Sequence, residues 1–290
     1  VGRFREWPIF AQAGPAGRRD RRLPSADVES ERAMTERFRR HLRPVLLMLA
    51  TMSLMAPVEA QPRLTVSVAS SLADVMGRIV TAWRARGGGE VALNIAGSNV
   101  LARQIVQGAP VDVFFSADAA QMQVAASSGR LVEGSVRVLL TNRLVVIVPA
   151  TSAQGRLRPA DLTMPRVRRV AIGQPDSVPA GVYARQWLEA QGVWQGVAPK
   201  VVPVLTARAA LAAVAAGRAD AGIVFATDAL ASAEVRVAYE VPAAETPGIA
   251  YPVVVVRTAR ATDAQRFVEF LQSTEARAIF EAAGFGVRTP

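Results

Sequence analysis

Cysteine is absent from this sequence, histidine occurs once, at His41, and lysine once, at Lys200. Each absence removes a class of function. Without cysteine there is no disulfide, no thiolate nucleophile and no residue to carry a lipid anchor. His41 falls in an N-terminal segment that reads as a leader, so the rest of the chain lacks a His–Cys or Ser–His pair, the usual zinc ligands and a haem ligand. Lys200 stands beside Pro199 in a turn, a poor place for the base of a Ser–Lys pair. Aromatic residues make up only 6% of the chain and form no ladder among the dispersed arginines, so nucleic acid is not an expected partner.

What is present begins with that leader. After Met34 come Arg37, Arg39, Arg40 and Arg43, then the apolar run VLLMLATMSLMA between Pro44 and Pro57, then Val58-Glu59-Ala60. A basic stretch, a short apolar core and small residues at the end have the form of a cleavable secretory signal. The run is too short to span a bilayer. Residues 1–33 read as a mis-assigned N-terminal extension, 34–60 as the signal peptide, and cleavage is expected after Ala60. The remaining 230 residues carry 23 arginines and lysines against 17 acidic side chains, a net charge of +6, which supports a mild attraction for small anions and no more.

From Gln61 onward strand and helix signals alternate. Leu64–Ala69 reads as a strand, and Ser70-Ser71 precede a helix with Leu72, Val75, Met76, Ile79, Val80 and Trp83 on one face. Val91–Ala96 is the next strand. Gly97 and Ser98 then read as turn and N-cap of a helix carrying Leu101 and Ile105, and the apolar run Val111–Phe115 reads as a buried strand. The same grammar recurs later: Arg169–Ile172, a helix opening after Pro179-Ala180-Gly181, Lys200–Leu205, a helix from Thr206 or Ala207, and Ala221–Phe225. The expected architecture is α/β with two lobes, each a mostly parallel sheet flanked by helices. Residues 61–142 and 248–290 form the first lobe, 143–247 the second, and Thr141-Asn142 marks a crossing.

A helix start at the carboxyl edge of a sheet offers unpaired N–H groups and a positive dipole end to an anion. A single serine there does no more than cap its own helix as a rule. Here, however, helix starts follow Ser71, Ser98, Ala180 and Ala207, two from each half, and converge on one ligand if the lobes face each other.

In combination, ASSLADVM (Ala69–Met76), GSNVLARQIVQGAPVDVFFSAD (Gly97–Asp118), VPAGVYA (Val178–Ala184) and GIVFATDA (Gly222–Ala229) resemble the periplasmic molybdate-binding proteins of ABC importers, which have the two-lobed type II periplasmic binding protein fold. The resemblance covers all of the chain after the leader. It implies oxyanion contacts at Ser71 and Ser98 through hydroxyl and backbone N–H, and at Ala180 and Ala207 through backbone N–H. The family's tyrosine position is held here by Phe225, which brings no hydroxyl. The implied ligand is molybdate or tungstate, with molybdenum held as an oxyanion and not as a metal cation. No cofactor or catalytic residue is implied. The partners would be the anion and a membrane permease, and the protein a periplasmic monomer and not an enzyme.

The donor set fits that ligand. A dianion without protons needs only donors, whereas a protonated oxyanion such as phosphate wants an acceptor, and none stands at the four helix starts. Sulfate, a smaller tetrahedral anion, stays open, as does a secreted hydrolase. The effector module of a transcription factor would need a DNA-binding segment where the leader stands. Asp112 and Asp118 are expected to cap and turn the chain, and Tyr183, Tyr239 and Tyr251 to pack.

Overall fold

The computed structural model describes residues 63–258 and 260–288. Contacts divide the chain after Ala60, and everything described here lies in the unit Gln61–Pro290. The readings of 1–33 and 34–60 fall outside the described residues.

Short apolar runs rich in Val, Ile and Leu become strands, and longer runs with apolar spacing of three and four become helices. In order these are β1 Leu64–Ala69, α1 Ala73–Ala85, β2 Val91–Ala96, α2 Ser98–Val106, β3 Val113–Phe115, α3 Ala119–Ala126, β4 Arg137–Thr141 and β5 Leu144–Pro149. There follow β6 Val170–Gly173, α4 Pro179–Ala190, α5 Trp194–Val197, β7 Val201–Val204, α6 Ala207–Ala215, β8 Ala221–Phe225 and α7 Ala226–Leu230. The last are β9 Val235–Glu240, β10 Ala250–Val255, α8 Ala261–Phe270, α9 Thr274–Ala282 and β11 Gly286–Val287.

The strands make two sheets, in the orders β11-β4-β10-β3-β1-β2 and β7-β6-β8-β5-β9. The chain passes from the first to the second between β4 and β5, at Asn142-Arg143, and returns between β9 and β10. The crossings bring strands of the opposite direction into each sheet. β1 pairs parallel with β2 and β3, and β6 with β7 and β8, as βαβ units require. The crossing strands enter the other way: β10 is antiparallel to β3 and β4, and β5 to β8 and β9. Both sheets are therefore mixed.

One apolar core, including Val66, Phe115, Ile223, Phe225 and Tyr251, runs through both sheets. On α1, Trp83 packs its ring 5.4 Å from those of Phe267 and Phe270 on α8, which seats that pair of helices on the first sheet. Asp112, fully buried, accepts from the Thr65 N–H at 2.8 Å, the Thr258 hydroxyl at 2.6 Å and Arg260 Nε at 3.1 Å. It ties β1 to the approach to α8. Asp118 caps α3, accepting from the Gln121 N–H at 2.6 Å, so both carboxylates have structural work and the two are not a catalytic pair.

Candidate functional site

Ser71, Ser98, Ala180, Ala207 and Phe225 line one small pocket, with Ala69, Ser70, Gly97, Ala117, Val178 and Pro179. The cavity measures only about 10 Å³, the scale of one small ion or water and far below the ~300–1,000 Å³ of pockets for organic ligands. None of its lining side chains carries a formal charge. Two larger concavities, of about 310 and 360 Å³, open elsewhere. The first lies on β4, α9 and β11, and the second shares Ser71 but opens over the charged side chains of Asp74, Arg78 and Arg208, unlike the uncharged small pocket.

Three helix heads meet there, and at each the early N–H groups lack an intrahelical acceptor. In α2 the N–H groups of Val100 and Leu101 go to Gly97 O, at 2.9 and 3.1 Å. In α4 those of Gly181 and Val182 go to Val178 O, both at 2.9 Å. In α6 the Thr206 hydroxyl oxygen accepts from the Ala209 N–H at 3.0 Å, and Thr206 O from the Ala210 N–H at 3.2 Å. Ser98, Ala180 and Ala207, which precede these residues, line the pocket, where the helix dipoles favour negative charge. Ser71 arrives on a 3-10 turn, Ser70–Leu72, that leads into α1.

Two local readings change. Gly97, not Ser98, is the N-cap of α2, and Ser98 is its first residue with no capping bond to its own helix. Its Oγ instead accepts from the Ala117 N–H beyond β3 at 3.0 Å. Pro179 occupies the first turn of α4, so that helix begins before Ala180 rather than after Gly181.

Phe225 closes the floor of the pocket. It is 1% exposed, and its ring meets those of Tyr251 at 5.8 Å and Tyr183 at 6.5 Å, edge to face. Tyr251, expected only to pack, also bears a buried hydroxyl 3.0 Å from Ser71 Oγ. No local signal pointed to it, because 180 residues separate the pair.

Beside the pocket, Arg208 of α6 bridges the lobes. Its Nη2 donates to Asp74 Oδ2 of α1 at 2.7 Å, and its Nε lies 2.7 Å from Asp228 Oδ1. Asp228 is fully buried, and Arg208 is its cationic partner. Burial pushes the Asp228 carboxyl up to about 6, against the pull of Arg208. Among the described residues no group of three or more His, Asp or Glu is placed to hold a metal ion.

Two α/β lobes joined by crossing strands, with a small uncharged pocket ringed by helix N-termini from both, define a two-lobed solute-binding protein. The chain belongs to the bacterial extracellular solute-binding protein family, whose profile matches residues 64–286. It is 35% identical over 230 residues to the molybdate-binding protein ModA of Escherichia coli K12, covering 78% of this chain and 90% of that protein. It is 30% identical to the ModA of Haemophilus influenzae, covering 79% and 92%. Among solved structures, the periplasmic molybdate-binding protein of Azotobacter vinelandii superposes with a TM-score of 0.71 at 25% identity, covering 78% of this chain and all of that one.

Proposed function

We propose that this protein captures molybdate outside the cytoplasmic membrane and delivers it to the permease of an ABC importer, without catalysing a reaction. The observation that carries the reading is the convergence of Ser71, Ser98, Ala180 and Ala207, from both lobes, on one uncharged pocket of single-ion size. The hydroxyls of Ser71 and Ser98 and the N–H groups of Ser98, Ala180 and Ala207 donate to the oxyanion. Phe225 supplies shape without a donor. Tungstate shares the form and charge that such a site reads and is expected to bind as well. The protein acts as a monomer, and residues 34–60 are removed on export. N-terminal sequencing of the exported chain should start at Gln61, and a retained Met34 would contradict the leader.

Calorimetry of residues 61–290 against molybdate, tungstate, sulfate and phosphate tests the ligand. Molybdate and tungstate should bind tightest and phosphate least. Ser71→Ala and Ser98→Ala should each weaken molybdate binding by about 1.5–3 kcal/mol, the loss of a hydrogen bond to a charged group, with circular dichroism unchanged. Parental affinity in both variants would place the ligand elsewhere.

A further inference from the structure

The proton directions beneath the pocket can be followed from a backbone group whose role is certain. The Arg143 N–H can only donate, and it meets Asn142 Oδ1 at 2.9 Å, which fixes the orientation of the Asn142 amide. Asn142 Nδ2 therefore faces the other way and donates twice, to Thr227 Oγ1 at 2.9 Å and to Tyr251 Oη at 3.2 Å. Tyr251 is fully buried, and burial, with the nearby Asp228 carboxylate second, holds its hydroxyl pKa above the ordinary tyrosine value. Its oxygen keeps the proton. With Asn142 donating to it, the acceptor in reach for that proton is Ser71 Oγ, 3.0 Å away. A buried O–H left unpaired would cost about 1–3 kcal/mol, so the proton goes to Ser71. Ser71 has then accepted its bond from below, and its own O–H turns to the pocket.

Ser98 is set the same way by a different partner. Its Oγ accepts from the Ala117 N–H, and that leaves its O–H free to donate into the pocket.

We propose that Tyr251, oriented by Asn142, is the positioning residue that fixes the Ser71 hydroxyl as a donor into the pocket. The inference rests on the oxyanion reading of the site. Asn142 stands at the crossing between β4 and β5, so the relay also links the passage between the sheets to a ligand contact.

A double-mutant cycle separates positioning from packing. Calorimetry with sodium molybdate at pH 8 is run on the parent, Tyr251→Phe, Ser71→Ala and the double variant. Tyr251→Phe keeps the ring and its contacts with Phe225 and Phe285. It should lower molybdate affinity about tenfold, a factor equal to 1.4 kcal/mol. In the Ser71→Ala background the same change should have almost no effect, because the group that Tyr251 orients is gone. An equal loss in both backgrounds would show that Tyr251 only packs and would overturn the proposal. Asn142→Asp offers a second route: it replaces the donor facing Tyr251 by an acceptor, draws the phenol proton away from Ser71, and should reproduce the Tyr251→Phe loss. Parental affinity in Asn142→Asp would overturn the relay. If the parent binds no molybdate at all, the functional reading fails and not the relay alone.

Discussion

Gly181→Ala is expected to lower molybdate affinity by about ten- to a hundredfold while the protein still folds, the largest binding loss from any single added carbon in the site. A Cβ on Gly181 would lie 2.0 Å from Gly173 O, 2.4 Å from Gly173 C and 2.8 Å from Gln174 O. All three are backbone atoms at the end of β6, so no side chain can swing aside. The head of α4 must retreat from the sheet, which costs about 1–3 kcal/mol of stability as overpacking does. The same retreat takes the Ala180 N–H out of hydrogen-bond range of the anion. Gly155→Ala is the control, since a Cβ there meets nothing within 4 Å. Calorimetry and thermal melting of both variants give the answer, and parental affinity in Gly181→Ala would show that the head of α4 is not a ligand.

Asp228→Asn is expected to change how stability depends on pH. The folded protein holds the Asp228 proton up to about pH 6, against an ordinary value of 3.8. A raised carboxyl pKa works against folding at high pH: the native state binds more protons than the unfolded chain between these values, so stability falls as pH rises through them. Below about pH 3.8 both states are protonated and the residue adds no penalty; above about pH 6 the whole penalty, on the order of 3 kcal/mol, is present. The amide carries no such proton. Asn at this position should thus match the parent near pH 3.5 and exceed it by that amount at pH 7–8 in urea unfolding. A difference that does not vary with pH would contradict the burial argument. That the protein keeps this carboxylate follows from Arg208, which Asp228 and Asp74 hold from opposite lobes beside the Ala207 N–H.

Local patterns in the sequence located nearly every long element, because apolar periodicity and Gly, Pro and Ser punctuation act over a few residues. They located each helix head one at a time. The mixed pairing of the sheets was not legible, since the direction in which β5 and β10 enter is set by two crossings between lobes. The terminal strand β11, of two residues, carries no periodicity. Ser98 looked like a cap because its distinguishing partner, the Ala117 N–H, lies 19 residues on. Tyr251 looked like packing for the same reason, and half of that reading stands, since its ring does pack while its hydroxyl meets Ser71. Asn142 was legible as a turn, yet its two donated bonds reach residues 85 and 109 positions away. Hydrogen-bond polarity is a property of the assembled network, and periodicity carries no trace of it.

The central claim is that molybdate is held between the two lobes by Ser71, Ser98, Ala180 and Ala207. A crystal structure of residues 61–290 grown with molybdate, with anomalous data collected at the molybdenum edge, tests it most directly. The account predicts one strong peak in the pocket floored by Phe225, its oxygens within about 2.7–3.2 Å of the serine hydroxyls and of the Ala180 and Ala207 N–H groups. A peak in the concavity over Arg78 and Arg208, or none at all in a crystal of a protein that binds molybdate in solution, would contradict it.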